Sequence, residues 1–450
     1  MKQILAQIAD SDYKFNNKFN NDYVFDSDDM PDTVGDLSKD DIEKFIRSSN
    51  IFPADAELKV INLSGQEAGR AEGFVNLVFR VQDLNSNKSV IVKHVTSYTR
   101  ARREATGERN KPYIGRFNFE VRAVILMREI FKDIAPEIYL INKDLRLIVM
   151  EDIGHLETLR FALSDGKTFP NYGLTLGGFL AGLRFYTSEF YLGSNEARRS
   201  ERYFNCDITK TSMVNLYFGK DCVLFTDNYK IYEPEAWEVQ RRLAANFNLK
   251  RAMLALGMKS YNNECMCHND LTAGNIMIDD KEFRIIDFEF AGYGPAFMDL
   301  GKMTGSFILN YVSWLGLPDV PLDKKLAMQK YCLNMLCDLY NGYLYALNNL
   351  FAKYKGTVKG LGIQNESPER LYKHVFYDAL RLGILSAAPR LPDFWTKTWD
   401  IAQIKDKKDL GHVQRRFLEI AEYVLINCEK FDKIEDFCEL VHCCAGVDVQ

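Results

Sequence analysis

The chain has 450 residues, 47% of them hydrophobic and 26% charged, with a formal net charge of -5. Single cores stop growing at roughly 250–300 residues, so two lobes or domains are expected. The balance is that of a globular protein, the mild acidity gives no electrostatic reason for a nucleic-acid partner, and no run reaches the ~18 apolar residues of a membrane span.

The N-terminus lacks the basic-then-apolar pattern of a secretory leader. The ten cysteines are scattered. Cys265 and Cys267 form a CxC, and Cys443 and Cys444 follow His442, but no second ligand pair sits at zinc spacing. A cytoplasmic protein with reduced, mostly buried thiols is expected.

Residues 1–35 form an irregular extension rich in Asn and Asp. A helix start follows at Ser38, with Asp41 placed to complete a capping box and Ile42, Phe45 and Ile46 on one face. Strands are predicted at Leu58–Leu63, Val75–Gln82 and Ser89–Val95, the last two joined by a polar hairpin at Asp83–Lys88. Gly73 permits a tight turn before the second strand. A basic stretch, Arg100–Arg116, reads as a solvated loop diluted by Glu104 and Glu108. A helix around Phe119–Ile130 and two strands, Glu137–Ile141 and Leu145–Met150, complete this part. From Tyr172 the periodicity is mainly helical, over Leu174–Tyr191, Glu233–Leu256, Met303–Trp314 and Lys325–Tyr354. A short strand pair, Asn275–Ile278 and Phe283–Ile286, interrupts it. Trp395 and Trp399 read as core aromatics. The last helical segment, Phe417–Val447, covers the second lobe and leaves room for a homodimer interface.

The strongest chemical signal is His268-Asn-Asp-Leu-Thr-Ala-Gly-Asn275, followed twelve residues later by Asp287 in Ile285-Ile-Asp-Phe-Glu289. Phosphoryl transfer uses one carboxylate to take or orient the proton of the attacking hydroxyl, and an amide oxygen with a second carboxylate to hold Mg²⁺ against the phosphates. Asp270 fits the first role. Asn275 and Asp287 fit the second, with Glu289 as a further ligand or a holder of ligand waters. Oxygen donors suit a hard cation. His268 is expected to fix the loop. Upstream, Val90-Ile-Val-Lys93 ends a strand in the manner of the ATP-phosphate lysine, and Glu120 on the next helix is its expected ion-pair partner, with Glu104 and Glu108 as competitors. Asn76 is placed to bond a phosphate or shape the loop. Met150-Glu-Asp-Ile153 reads as the hinge, where Glu151, Asp152 and Ile153 would meet adenine through backbone groups. The fold class is α+β, a two-lobed protein-kinase-like fold. Residues 36–152 form the nucleotide-binding lobe with its leading helix, and 153–450 a helical lobe with the catalytic and substrate site. ATP and Mg²⁺ are the implied cofactors and a small molecule the acceptor.

Together the motifs resemble 5-methylthioribose kinase, within the aminoglycoside phosphotransferase and choline kinase superfamily. The resemblance rests on Gly73-Phe-Val-Asn-Leu-Val-Phe79, Met150-Glu-Asp152, Tyr186-Thr-Ser-Glu-Phe190, Leu224-Phe-Thr-Asp-Asn-Tyr229 and Asp287-Phe-Glu-Phe-Ala-Gly-Tyr-Gly-Pro295. It runs from about residue 57 to about residue 395. It implies transfer of the γ-phosphoryl group of ATP to methylthioribose, giving the 1-phosphate in methionine salvage, with Asp270 on the sugar hydroxyl. Two positions depart from the family. Thr272 replaces a family His and Asn275 a family Ser, as in choline kinases. Arg390 matches only one member of a sugar-binding arginine pair, with Arg381 as the alternative second cation. A choline- or ethanolamine-type kinase and a non-catalytic kinase-fold scaffold are the competing readings.

Overall fold

The computed structural model describes residues 35–64, 75–96, 115–205, 207–218, 222, 224, 232, 234–359, 367–391 and 399–445. The expectations placed on residues 1–34, Gly73, Glu104, Glu108, Phe225–Tyr229 and Trp395 lie outside them. The described residues fall into two compact units. One holds the residues up to Glu157 together with Glu282–Glu289; the other holds Thr158–Lys281 and the residues from Phe290 onward. No helix among the described residues is long and apolar enough to cross a membrane.

In the N-terminal unit, helix α1 (Lys39–Ser48) begins at the predicted capping box. The Ser38 hydroxyl accepts from the Asp41 N–H at 3.2 Å, and the Asp41 carboxylate accepts the Ser38 N–H at 2.9 Å. Five strands follow, β1 (Leu58–Asn62), β2 (Leu77–Asp83), β3 (Ser89–His94), β4 (Ile138–Asn142) and β5 (Leu147–Glu151), with helix α2 (Arg116–Phe131) between β3 and β4. They form one antiparallel sheet in the order β1-β2-β3-β5-β4. Side chains on a strand alternate between faces. Leu77, Phe79, Val81, Val90, Val92, Leu147 and Val149 pack with Ile42 and Ile46 of α1. Residues of opposite parity, such as Ile148, pack with Phe117 and Val121 of α2. Lys93 follows Val92, so it falls on the face that α2 covers. That parity aims the lysine at Glu120.

The C-terminal unit is mainly helical. Its long elements are α3 (Tyr172–Thr187), α4 (Met298–Ser313), α5 (Leu322–Lys353), α6 (Pro368–Ala387), α7 (Lys407–Asn427) and α8 (Ile434–Ala445). The helix expected over Glu233–Leu256 is two, Pro234–Ala245 and Phe247–Lys259. Asn246 divides them: it takes an extended backbone, and its side chain accepts the Leu249 N–H at 3.0 Å. Asn is a poor helix interior and a good N-cap, so this local bond overrides a continuous apolar pattern. The last segment also divides, between α7 and α8. Trp399 opens a short helix and packs edge-on against Phe161, with ring centroids 5.9 Å apart.

Helices α3 and α5 approach closely enough to require glycine. A Cβ on Gly177 would stand 2.1 Å from the Leu339 carbonyl oxygen and 2.7 Å from the Tyr343 nitrogen. Replacing a helical glycine by alanine ordinarily gains up to about 1 kcal/mol from propensity. Here the backbone clash outweighs it, since overpacking costs about 1–3 kcal/mol where the neighbour can move, and backbone in a helix cannot. Gly177→Ala is therefore expected to lower the melting temperature. A raised melting temperature would show that the two helices are further apart.

Candidate active site

The N-terminal unit gathers three carboxylates and two cations. The Lys93 ammonium donates to Glu120 Oε1 at 2.6 Å and also to Asp287 Oδ1. Arg116, the first residue of α2, pairs with Glu289 Oε2, donates to Asn76 Oδ1 at 2.7 Å and donates to the Thr96 carbonyl at 2.7 Å. Asn76 in turn donates to Glu289 Oε2 at 3.0 Å. With all groups ionised, the cluster carries three negative and two positive charges, a surplus of one negative. Burial opposes the charge on Lys93, but Asp287 and then Glu120 hold its pKa above the ordinary lysine value. Burial pushes the Glu120 carboxyl up against the pull of Lys93.

Exposure separates the three carboxylates. The Glu120 and Glu289 side chains are 2% and 1% exposed, whereas Asp287 is 36% exposed. Asp287 also has a positive φ of 66°. Asp tolerates the left-handed region better than most residues, and such a backbone is kept only where its surroundings hold it. Among the described residues no group of three or more His, Cys, Asp or Glu is arranged to hold a metal ion; Asp287 is the carboxylate of this cluster with open surface, an oxygen donor of the kind that suits a hard cation.

The hinge side chains are engaged in structure. Asp152 pairs with Arg80 at 2.7 Å and accepts from the Ser89 hydroxyl at 2.6 Å and from the Gly154 N–H at 2.9 Å. Burial raises its pKa, and the Ser89 and Arg80 bonds outweigh that and hold it low. The Glu151 N–H donates to the Glu137 carbonyl at 2.8 Å, and the Glu151 carboxylate takes the Glu137 N–H at 3.1 Å. Ile153 is buried, and its N–H makes no hydrogen bond among the described residues.

In the C-terminal unit, α4 carries the loop that holds Asp270. Asp299 Oδ2 and Oδ1 accept the N–H groups of His268 and Asn269 at 2.7 and 2.9 Å, and the Ser306 hydroxyl accepts the Ala273 N–H at 3.1 Å. His268 Nδ1 accepts the Asp270 N–H at 3.3 Å, the loop-fixing role expected of it. Asn269, with φ 65°, donates through its amide to the Phe290 carbonyl at 2.9 Å. Asn275 donates to the Asp270 carbonyl at 2.8 Å, which orients its amide and leaves the amide oxygen without a hydrogen bond among the described residues. Lys302 donates to Asp270 Oδ1 at 3.1 Å and to the Tyr217 hydroxyl at 2.7 Å. Burial raises the Asp270 pKa, and Lys302 and then Arg390 more than offset it, so the carboxyl lies below its ordinary value. Burial pulls the Lys302 pKa down, and Tyr217 and then Asp270 more than offset it, so it lies above the ordinary lysine value. Downstream, strands Cys265–Cys267 and Gly292–Gly294 pair with Met266 opposite Tyr293. A Cβ on Gly292 would lie 2.5 Å from the Phe204 carbonyl, which explains a glycine in that run.

The sequence-predicted residues thus stand in two groups: Asn76, Lys93, Glu120, Glu151, Asp152, Ile153, Asp287 and Glu289 in the N-terminal unit, and Asp270, Asn275 and Arg390 in the C-terminal one. One expectation is corrected. Arg116 is not part of a solvated basic loop; it is 1% exposed, because Glu289 and Asn76 give it a buried partner set. Arg381, the alternative second cation, pairs with Glu429 at 2.9 Å. The second cation beside Asp270 is Lys302, which the sequence reading missed, together with Asp299 and Tyr217. A signal existed: Asp299, Lys302 and Ser306 fall at i, i+3 and i+7, so the only two charged residues of the helix share a face.

Comparison with known proteins gives the following. Residues 221–316 match the phosphotransferase enzyme family, APH. The methylthioribose kinase of Geobacillus sp. is 31% identical over 247 residues, 54% of this chain and 59% of that protein. That of Bacillus cereus is 31% identical over 262 residues, 57% of this chain and 63% of that protein. The chain therefore spans less than two thirds of the length of these relatives. Among solved structures, a choline kinase from Cryptosporidium parvum is 14% identical with a TM-score of 0.45, covering 89% of this chain and 100% of that one. A glucosamine kinase in complex with glucosamine, ADP and inorganic phosphate is 13% identical with a TM-score of 0.39, covering 82% and 83%. The resemblance read from the motifs is met by the family match and by the curated relatives.

Removing one partner of a buried ion pair leaves the other charge uncompensated, at a cost of about 3–5 kcal/mol. Arg116→Met is therefore expected to lower the unfolding free energy by that amount in chemical denaturation. Unchanged stability would mean that Glu289 does not depend on Arg116.

Proposed function

We propose that this chain is an ATP-dependent kinase that transfers a γ-phosphoryl group to a hydroxyl of a small molecule, with methylthioribose as the leading acceptor and its 1-phosphate as product. The observation that carries this reading is Asp270: a part-exposed carboxylate kept ionised by Lys302, on a loop whose backbone is clamped by Asp299. A group so held can accept a proton from a hydroxyl. The acceptor O–H bond breaks toward Asp270, the acceptor oxygen bonds to the γ-phosphorus, and the bond to the β–γ bridging oxygen breaks, releasing ADP.

In this reading Lys93, oriented by Glu120, meets the phosphates, and the backbone at Glu151–Ile153 meets adenine through groups such as the Ile153 N–H. Asn275 and Asp287 would hold Mg²⁺, with Glu289 as a further ligand or a holder of its waters. The metal, bound with ATP, supplies positive charge against the phosphate oxygens. Asn76 and Arg116 keep Glu289 fixed. The cytoplasm, which supplies ATP, is the compartment the reading implies.

The acceptor is argued from charge. Choline and ethanolamine carry a positive charge that needs aromatic or acidic surroundings. Lys302 bonds the Asp270 carboxylate at 3.1 Å, and Arg390 adds positive charge to its surroundings. These two cations disfavour an ammonium acceptor and suit a neutral, hydroxyl-rich one. The name of the curated relatives, methylthioribose kinase, supports the sugar as the acceptor. A scaffold role would have no use for buried charges that are costly to keep.

The test is ATP consumption by the purified protein across methylthioribose, choline, ethanolamine and glucosamine. Turnover is expected with methylthioribose, and Asp270→Asn should remove it while nucleotide affinity stays nearly intact. Turnover with an amino alcohol in its place would overturn the acceptor, and full activity of Asp270→Asn would overturn the assignment of the base.

A further inference from the structure

Lys302 stands in an unusual place for a lysine. It lies on α4, where its neighbours Gly301, Met303 and Thr304 are buried, and its own side chain is 1% exposed. Lysine is almost never fully buried without a partner, because removing the ammonium from water is expensive. Two partners hold it: Asp270 Oδ1 at 3.1 Å and the Tyr217 hydroxyl at 2.7 Å, with the ammonium 4.5 Å from the Tyr217 ring centroid. Tyr217 is itself buried. Core packing alone would be met by a methionine at this position, so the charge needs a reason.

Asp270 supplies one. Its Oδ1 is taken by Lys302, while Oδ2 has only a long 3.4 Å contact from the Asn275 amide. Oδ2 is thus the oxygen left for the acceptor hydroxyl. A carboxylate that orients an acceptor also repels the anionic phosphoryl group that must reach it. An ammonium bonded to its other oxygen offsets that repulsion without competing for the proton.

We propose that Lys302 is a positioning residue for the transfer step: fixed by Tyr217, it locks the Asp270 carboxylate through Oδ1 and neutralises its charge as the phosphoryl group arrives. This rests on the kinase reading above and goes beyond it, because it makes the rate of transfer depend on a residue outside the His268–Asn275 loop.

The test compares Lys302→Met, Lys302→Arg and Tyr217→Phe in the full chain with Mg-ATP and methylthioribose. Removing one preorganised charge partner costs on the order of 100-fold in rate, so Lys302→Met is expected to lower kcat by about 100-fold and to leave KM for ATP within about twofold. Lys302→Arg should recover much of the loss, because it restores the charge. Tyr217→Phe removes one oxygen from a packed ring and should lower kcat by about fivefold with the fold intact, which serves if Lys302→Met unfolds. A second readout needs no acceptor: binding of Mg-ADP with aluminium fluoride, a mimic of the phosphoryl group in transfer. Lys302→Met should weaken that complex by about tenfold or more and leave Mg-ADP alone unchanged.

Wild-type kcat in folded Lys302→Met, or equal weakening of both nucleotide complexes, would overturn the proposal. If wild type binds the aluminium fluoride complex but does not turn over methylthioribose, the acceptor reading fails, and the complex still decides the role of Lys302. If wild type binds no nucleotide, the kinase reading fails and this proposal with it.

Discussion

The Lys93 ammonium is shared between Glu120, 27 residues away in sequence, and Asp287, 194 residues away. Both contacts are made with the lysine nearly excluded from solvent. A buried cation of this kind is tolerated only with partners, so β3, α2 and the Glu282–Glu289 segment have to fold as one body. The N-terminal unit includes Glu282–Glu289, which is also held by the Ile285 N–H donating to the Ile134 carbonyl at 2.7 Å. Arg116 and Glu289 repeat the same device beside it. Asp287 is the exposed member of the cluster.

The C-terminal unit solves a different problem with one helix. A loop proposed to carry the base has few backbone bonds of its own and must be held from outside to keep a side chain within productive geometry. Helix α4 does this from a single stripe: Asp299 binds two loop N–H groups, Ser306 a third, and Lys302 the carboxylate itself. The helix is in turn fixed by close approach to α6, where Gly301 and Gly305 leave no room for a side chain against the Ala379 and Gly383 carbonyls. Rigid packing far from the chemistry is thus connected to Asp270 through a few named bonds.

Much of this was legible in the sequence because it depends on local or periodic signals. Alternation on β2 and β3 fixed which face Lys93 takes, and the Ser38–Asp41 box fixed where α1 starts. The spacing of Asp270, Asn275 and Asp287 marked the segment on which the proposed chemistry rests. What was missed depends on long-range burial. A run of arginines before α2 looks solvated until Glu289, 173 residues on, makes a buried partner for Arg116. Lys302 likewise looks like a surface lysine until Tyr217, 85 residues back, is seen to cover it. The break at Asn246 needed a capping bond that no apolar period reports.

On the proposed reading, the charge cluster around Lys93 and Asp287 binds ATP through a divalent cation. Calorimetric titration of ATP into wild type and Asp287→Asn, each with and without Mg²⁺, tests it directly. The account predicts that Mg²⁺ strengthens ATP binding to wild type and that this gain is largely lost in Asp287→Asn. Binding that is indifferent to Mg²⁺, or a gain from Mg²⁺ that is equal in both proteins, would contradict it.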